Sequence, residues 1–299
     1  MALGTRGKAW DVRSLLDARD QLGEGPHWDH VAGELLRVDI ARGLVHGWDP
    51  ASGERWTLVL EGEVSAVVPR ASGDGHLLAV GHALVLRDAA GELRTLAAAE
   101  EGLAENRFND CRCDPQGRLW AGTMSKARTP GAAALYRLAP GGGLERVLDA
   151  TTISNGIGWS PGGELMYFID STTQRIDAFD FDAASGAIAE RRTLVEIDPA
   201  DGLPDGLTVD AQGGIWVCLF GGGAVRRYAP DGTLDAVVEL PVTNPTCPTF
   251  GGPALDTLYV TSARHRLTDE QLAAEPLAGA LLALEDPGVR GLPANRFDG

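Results

Sequence analysis

Residues 155–170 read NGIGWSPGGELMYFID. A polar residue leads into a short β-prone run, a Ser160-Pro161-Gly162-Gly163 turn breaks it, and a second β-prone run follows, which is the pattern of a hairpin. The unit recurs on both sides. Upstream stand GEGPHWDHVAGELLRVDI from Gly23, VSAVVPRASGDGHLLAVG from Val64 and NDCRCDPQGRLWAGTM from Asn109. Downstream stand DGLTVDAQGGIWVCLF from Asp205 and TCPTFGGPALDTLYVTSA from Thr246. One phase of the repeat carries Glu24, Ser65, Asn109, Asn155, Asp205 and Thr246, at spacings of 41, 44, 46, 50 and 41 residues. That spacing is the length of a four-stranded propeller blade. The expectation is an all-β chain, a six-bladed β-propeller occupying residues 1–299 as one domain.

Hairpin turns punctuate the chain at the intervals this architecture needs. They include Asp49-Pro50-Ala51-Ser52-Gly53, Asp114-Pro115-Gln116-Gly117 and Asp210-Ala211-Gln212-Gly213. Large apolar residues follow the anchors at equivalent places: Leu35-Leu36, Leu77-Leu78, Leu119-Trp120, Leu165-Met166-Tyr167, Ile215-Trp216 and Leu258-Tyr259. These are expected to pack between neighbouring blades. Two stretches depart from the repeat. Ser14–Asp20 reads as a strand that closes the ring against the last blade. Thr268–Glu275 (TDEQLAAE) has a cap residue, early acids and helix formers, so a short surface helix is expected.

Composition bounds the function. The 299 residues carry a formal net charge of −16, which disfavours nucleic acid and anionic membrane surfaces as partners. No apolar run reaches the roughly 20 residues of a membrane span, and MALGTRGKAWDV at the amino end has no secretory core. A cytoplasmic location is expected. The four cysteines fit a reducing compartment: Cys111 and Cys113 share one face of a strand, Cys218 and Cys247 stand apart, and all are read as small buried hydrophobes. The six histidines form no HxH or HExxH pattern, Ser125 and Ser154 lack a GxSxG setting, and Gly221-Gly222-Gly223 is a turn between strands.

The chemistry is expected at the axis, because residues at one phase of a radial repeat converge there. Glu24, Asn155 and Asp205 each stand beside glycine in a tight turn where a strand begins. Two carboxylates with amide oxygens suit one divalent cation, Ca²⁺, Mg²⁺, Mn²⁺ or Zn²⁺.

LGEGPHW, NRFNDCRCDPQGRLWAGTM, SNGIGWSPGGELMYFIDSTTQRIDAFDFD, PDGLTVDAQGGIWV and FGGPALDTLYVTSAR closely resemble the family of regucalcin (senescence marker protein) and gluconolactonase, in order, from about Leu22 to the carboxyl end. The resemblance implies a six-bladed propeller with one divalent cation in its channel, hydrolysing sugar lactones. It implies Glu24, Asn155 and Asp205 as metal ligands, with Arg107 and Asn109 contacting the sugar hydroxyls. The chain departs from the family in two places. The loop Ser125-Lys126-Ala127-Arg128-Thr129-Pro130 has no carboxylate, where animal-type relatives carry an acid that contacts substrate. Cys111 replaces the usual glycine after RFND.

Lactone hydrolysis needs a polarised carbonyl, a proton acceptor for the attacking water and stabilisation of the tetrahedral oxygen. Asp205 is the candidate acceptor, with a water already ionised by the cation as the other route. Arg107 would orient the ring by paired donors. Two readings of another kind stand beside this one: a calcium-binding or scaffold propeller without catalysis, and a phosphotriester or other ester hydrolase. The pattern specifies no particular lactone and no oligomeric state. Lys126 and Arg128 are read as a solvated pair, with a contact to an anionic group as the lesser alternative.

Overall fold

A computed structural model describes residues 10–299. Among these residues, strands form six four-stranded sheets, each antiparallel and wound outward from its first strand, so the chain is a six-bladed β-propeller. The innermost strands are Gly23–Asp29 in blade I, Val64–Pro69 in II, Asn106–Cys113 in III, Ser154–Trp159 in IV, Leu203–Val209 in V and Pro245–Gly251 in VI. Inner strands are buried on both faces and read as nearly continuous buried runs, whereas the outer strand Arg55–Val59 alternates exposed and half-buried positions.

Each pair of neighbouring blades encloses its own apolar cluster, and the large residues anticipated from the repeat supply them. Adjacent residues in a strand point to opposite faces, so one serves each side. Leu36 packs toward blade II and Leu35 toward blade VI. Trp120 packs toward blade IV and Leu119 toward blade II. Trp216 faces blade VI while Ile215 faces blade IV. Each such side chain contributes about 2–3 kcal/mol by leaving water, which holds the ring together blade by blade.

Val12–Leu16 pairs antiparallel with Leu281–Glu285, Val12 lying opposite Leu284. This strand is the outermost of blade VI and closes the ring, as anticipated, but it starts and ends earlier than Ser14–Asp20. The pairing stops because Arg19 takes a left-handed φ of 52° and the Asp20 carboxylate turns inward to a buried ion pair with Arg37. The expected helix is Asp269–Ala274, held by a capping box in which Thr268 Oγ1 accepts from Gln271 N at 3.2 Å and Gln271 Oε1 accepts from Thr268 N at 2.9 Å. All four cysteines are buried and free.

The carboxyl-terminal segment 289–299 was not foreseen. It crosses the ends of the inner strands opposite the pocket described below, exchanging backbone bonds with Pro69 and Ala71 of blade II and Gly117 of blade III. Ala211 of blade V donates to Arg290 O, Arg296 pairs with Asp29 at 2.6 Å, and Phe297 is fully buried between blades II and III. Among the described residues no helix is long and apolar enough to cross a membrane. Residues 1–9, on which the reading of the amino end rests, lie outside the described residues.

Candidate metal centre and active site

The six anchor positions sit on the innermost strands, each at or beside a break in the ladder. Between Phe108 and Cys111, Ser154 and Ile157, Pro204 and Leu207, and Pro245 and Pro248, two residues oppose one on the partner strand, and Asn109, Asn155, Asp205 and Thr246 are the first of each two. Val64 and Ala66 flank a shift at Ser65, and in blade I the irregularity follows Glu24 at Gly25 and Pro26. Such bulges re-aim a side chain out of the pleat. The anchors therefore lie inside strands and not in turns preceding them. The neighbouring glycines have a steric reason. A Cβ on Gly156 would stand 2.9 Å from Asp205 O, one on Gly206 would meet Cys247 Sγ at 2.4 Å, and Gly25 needs its left-handed φ of 52°.

Glu24, Arg107, Asn109, Asn155 and Asp205 line one pocket of about 100 Å³ at the end of the axis, walled by Leu22, Ile40, Met124, Ile153, Leu203 and Phe220. Arg128, His265 and Arg266 complete its lining. Ser65 and Thr246 are buried but do not line it; Thr246 Oγ1 donates to Gly23 O at 2.6 Å and so fixes the residue before Glu24. Two anchors thus lie off the pocket, Thr246 bonded to blade I and Ser65 with its buried hydroxyl unpaired, and the other four are at the pocket.

The polar lining is one connected network. Asn109 Nδ2 donates to Asn155 Oδ1 at 2.7 Å and to Ser154 O at 2.9 Å. Asn155 Nδ2 donates to Ser171 Oγ at 2.8 Å, and Ser171 in turn donates to Pro204 O at 2.6 Å, beside Asp205. Arg107 Nη1 donates to Asn109 Oδ1 at 2.6 Å and to Phe108 O at 2.8 Å, while Nε reaches Glu63 Oε1 at 3.3 Å. Both Asn109 donor hydrogens are spent on the protein, so its main work is to hold Arg107 and Asn155. Lys126, read from sequence as solvated, pairs with the other Glu63 oxygen at 3.1 Å.

Charge in the pocket is poorly balanced. Burial raises the Glu24 carboxyl above its ordinary range, with the charge of Asp110 acting in the same direction. Burial also raises Asp205 well above the usual carboxylate range, and Glu24 and Asp110 push it further. Gly25 N donates to Glu24 Oε2 at 2.9 Å, but no described group donates to the Asp205 carboxylate. Asp110 is a third buried acid that the sequence reading passed over, and its Oδ2 has no hydrogen-bond partner. Arg107 is itself pushed down by burial, with Glu63, Glu24 and Asp205 opposing. Arg107 offsets part of the charge of Glu24 and Asp205, and Arg112 part of that of Asp110, but burial outweighs both, a cost that a bound cation would relieve.

The donor chemistry is all oxygen. Among the described residues, no three His, Cys, Asp or Glu side chains converge as a ready metal cluster. Two carboxylates are available, and the Asn155 Oδ1 lone pair not used by Asn109 is a third donor. His265, dismissed on sequence because it matched no spacing pattern, is the one histidine in the lining. Only the fold, bringing blade VI to the mouth, could reveal it.

Known proteins resemble this chain over nearly its whole length. Residues 22–264 match the family described as the SMP-30/Gluconolactonase/LRE-like region. This chain belongs to that family. Regucalcin of Gallus gallus is 36% identical over 287 residues, 94% of this chain and 96% of the relative. The crystal structure of a calcium-binding protein, regucalcin, from Agrobacterium tumefaciens strain C58 aligns with a TM-score of 0.91 at 34% identity, over 96% of this chain and 98% of that one. A luciferin-regenerating enzyme aligns with a TM-score of 0.92 at 29% identity, over 97% and 100%. The SMP-30/gluconolactonase fold thus carries more than one named activity, so the function of this member rests on its own pocket.

Proposed function

We propose that this chain is a metal-dependent hydrolase of sugar lactones, opening aldonolactones to aldonic acids. The observation that carries the reading is the meeting of two carboxylates, half-buried Glu24 and buried Asp205, with Asn155 and a tethered Arg107 in one pocket. Its support from the family is a lactonase-type function, which the family's printed description includes.

Glu24, Asp205 and Asn155 would hold one divalent cation. Their all-oxygen set favours Ca²⁺, Mg²⁺ or Mn²⁺ over Zn²⁺, which more often recruits His or Cys. When bound, the ion supplies Lewis-acid polarisation of the ester carbonyl and charge for the developing oxyanion. Asp205 accepts the proton of the attacking water as the water oxygen bonds to the carbonyl carbon. The ring C–O bond then breaks, and the ring oxygen leaves as a hydroxyl that takes up that proton. Arg107 donates to the sugar hydroxyls, most freely through Nη2, since Nε and Nη1 make its internal bonds. Asn109 positions Arg107 and Asn155 relative to each other. The location consistent with this work is the cytoplasm.

The test uses protein stripped of metal and a pH-indicator assay against five- and six-carbon aldonolactones, with Ca²⁺, Mg²⁺, Mn²⁺ and Zn²⁺ restored separately. Opening above the spontaneous rate with at least one ion is the expected result. No acceleration with any ion, together with divalent-ion binding by calorimetry, would leave the calcium-binding propeller as the correct reading.

A further inference from the structure

The mouth of the pocket carries a second set of charges that the reading above does not use. Arg128 lies on the loop between strands Leu119–Ser125 and Ala133–Leu138 of blade III. Arg266 lies on the long excursion between Thr257–Ser262 and Leu281–Glu285 of blade VI. Blades III and VI face each other across a six-membered ring, yet both arginines line the same pocket. They are close enough that Arg266 lowers the pKa of Arg128, after the effect of burial. His265 completes the rim and accepts from Arg266 Nε at 3.4 Å.

Neither guanidinium has a carboxylate within salt-bridge distance among the described residues, although the chain carries 42 acidic residues against 26 basic ones. The comparison with the rest of the molecule is informative. Most other described arginines, Arg13, Arg37, Arg118, Arg137, Arg191 and Arg227 among them, have an acidic partner, although a minority such as Arg55 and Arg94 have none. Among the described residues the carboxylates lining the pocket are Glu24 and Asp205, which the proposed function gives to the cation. Both residues are exposed, and two like charges lining one opening repel, screened by water, in a way that an anionic group between them would relieve. The rim is also held in place. Arg128 and Arg266 take left-handed φ values of 56° and 66°, a conformation that non-glycine residues rarely adopt. Arg128 N donates to Ser125 O at 2.8 Å, and Asn244 Nδ2 fixes the His265 carbonyl at 2.9 Å.

We propose that Arg128 and Arg266 form an anion subsite, and that the preferred substrate is a sugar lactone bearing a negative group remote from the ester carbonyl. This deepens the lactonase reading and rests on it for the reaction. A strongly acidic exterior slows the approach of an anion, so a local pair of cations at the opening is what such a substrate requires. Carboxylate and phosphate satisfy the same donors, since guanidinium forks bind either bidentately.

The experiment compares three six-carbon lactones that differ only at the far carbon: a hydroxymethyl group, a carboxylate, and a phosphate ester. kcat/KM is measured with the activating ion at low and moderate ionic strength, for wild type, R128Q, R266Q and R128Q/R266Q. The expected result is an anionic lactone preferred about tenfold or more over the neutral one, through KM, with the preference falling as salt rises. In the double variant the anionic-to-neutral ratio falls about tenfold. Which of the two anionic arms is favoured assigns the group. An equal ratio in wild type and double variant overturns the proposal, and so does a wild-type preference for the neutral lactone. Were the rim to serve only the carboxylate that every lactone yields on opening, all three substrates would suffer alike and the ratio would not move. Calorimetry separates the two readings: if no lactone is opened, an open-chain sugar diacid or sugar phosphate that binds wild type at least tenfold tighter than R128Q/R266Q supports the anion subsite without the hydrolase. Equal affinity, or no binding to either protein, rejects the subsite as well.

Discussion

Asp205 in the inner strand of blade V and Asp210 just past that strand's end are both buried, yet they live in opposite chemical worlds. Asp210 Oδ1 accepts from Gln212 N and Gly214 N, and its Oδ2 from Trp216 Nε1 at 2.9 Å and Arg227 Nε at 2.8 Å. Arg227 is shared with Asp235. Asp114 repeats the device in blade III with Arg118 and Trp120. Asp205 is left beside other acids, and burial pushes its carboxyl up. A carboxylate that answers every lone pair within the protein stabilises its blade; one whose lone pairs stay open is kept for something outside the chain.

The largest expected effect breaks this contrast at its functional end. Asp205→Asn should lower lactone turnover by about a thousandfold, the range for removing a general base. It should also abolish the rise in Tm that divalent ions give. In metal-free buffer the same variant should melt higher than wild type, because one of two neighbouring buried acids is gone; thermal scans with and without ion check both signs. At the structural end, Asp210→Asn should cost about 3–5 kcal/mol of folding free energy by denaturant titration, since Arg227 and Trp216 lose their common acceptor. The folded fraction of that variant should keep its affinity for divalent ions.

A smaller effect tests the bridge between the two. Ser171→Ala removes the acceptor of Asn155 Nδ2 and the donor to Pro204 O, and should weaken divalent-ion binding about tenfold, as loss of an orienting partner does. The smallest concerns pH. Burial pushes His46 and His76 down to about 4 from 6.5. Between those values both are neutral in the folded chain while the unfolded chain takes up protons. Stability is therefore full above pH 6.5 and declines as pH falls toward 4. His46→Gln and His76→Gln should flatten that decline in denaturant midpoints measured across the window.

Much of this was legible in the sequence because the repeat is a physical necessity. A blade needs turns and alternating apolar residues at fixed intervals, so Ser160-Pro161-Gly162-Gly163 and Trp120 or Trp216 announced themselves. The capping box at Thr268 is local and was equally plain. The bulges were not, because an unpaired residue leaves no compositional trace; Asn109 and Asn155 look like turn residues until their strands are paired. Glu63, Ser171 and Asp110 were missed because their roles depend on partners far away in the chain. Arg128 and His265 come from blades III and VI, and only ring closure brings them to one opening. The strap 289–299 has neither strand nor helix periodicity, so its bonds to blades II, III and V were invisible.

Val12–Leu16 precedes the other strands in the chain, and the strand it completes, Leu281–Glu285, follows them. Until Leu281–Glu285 has been made, Val12–Leu16 has no partner and blade I no complete neighbour on one side. The chain must therefore pass through an open arc with exposed sheet edges, and the ring can close only once Leu281–Glu285 is available. The amino-terminal residues wait for a partner more than 260 positions away, which makes this seam the place where crowding, chaperones or a fused tag would act on the yield of native protein.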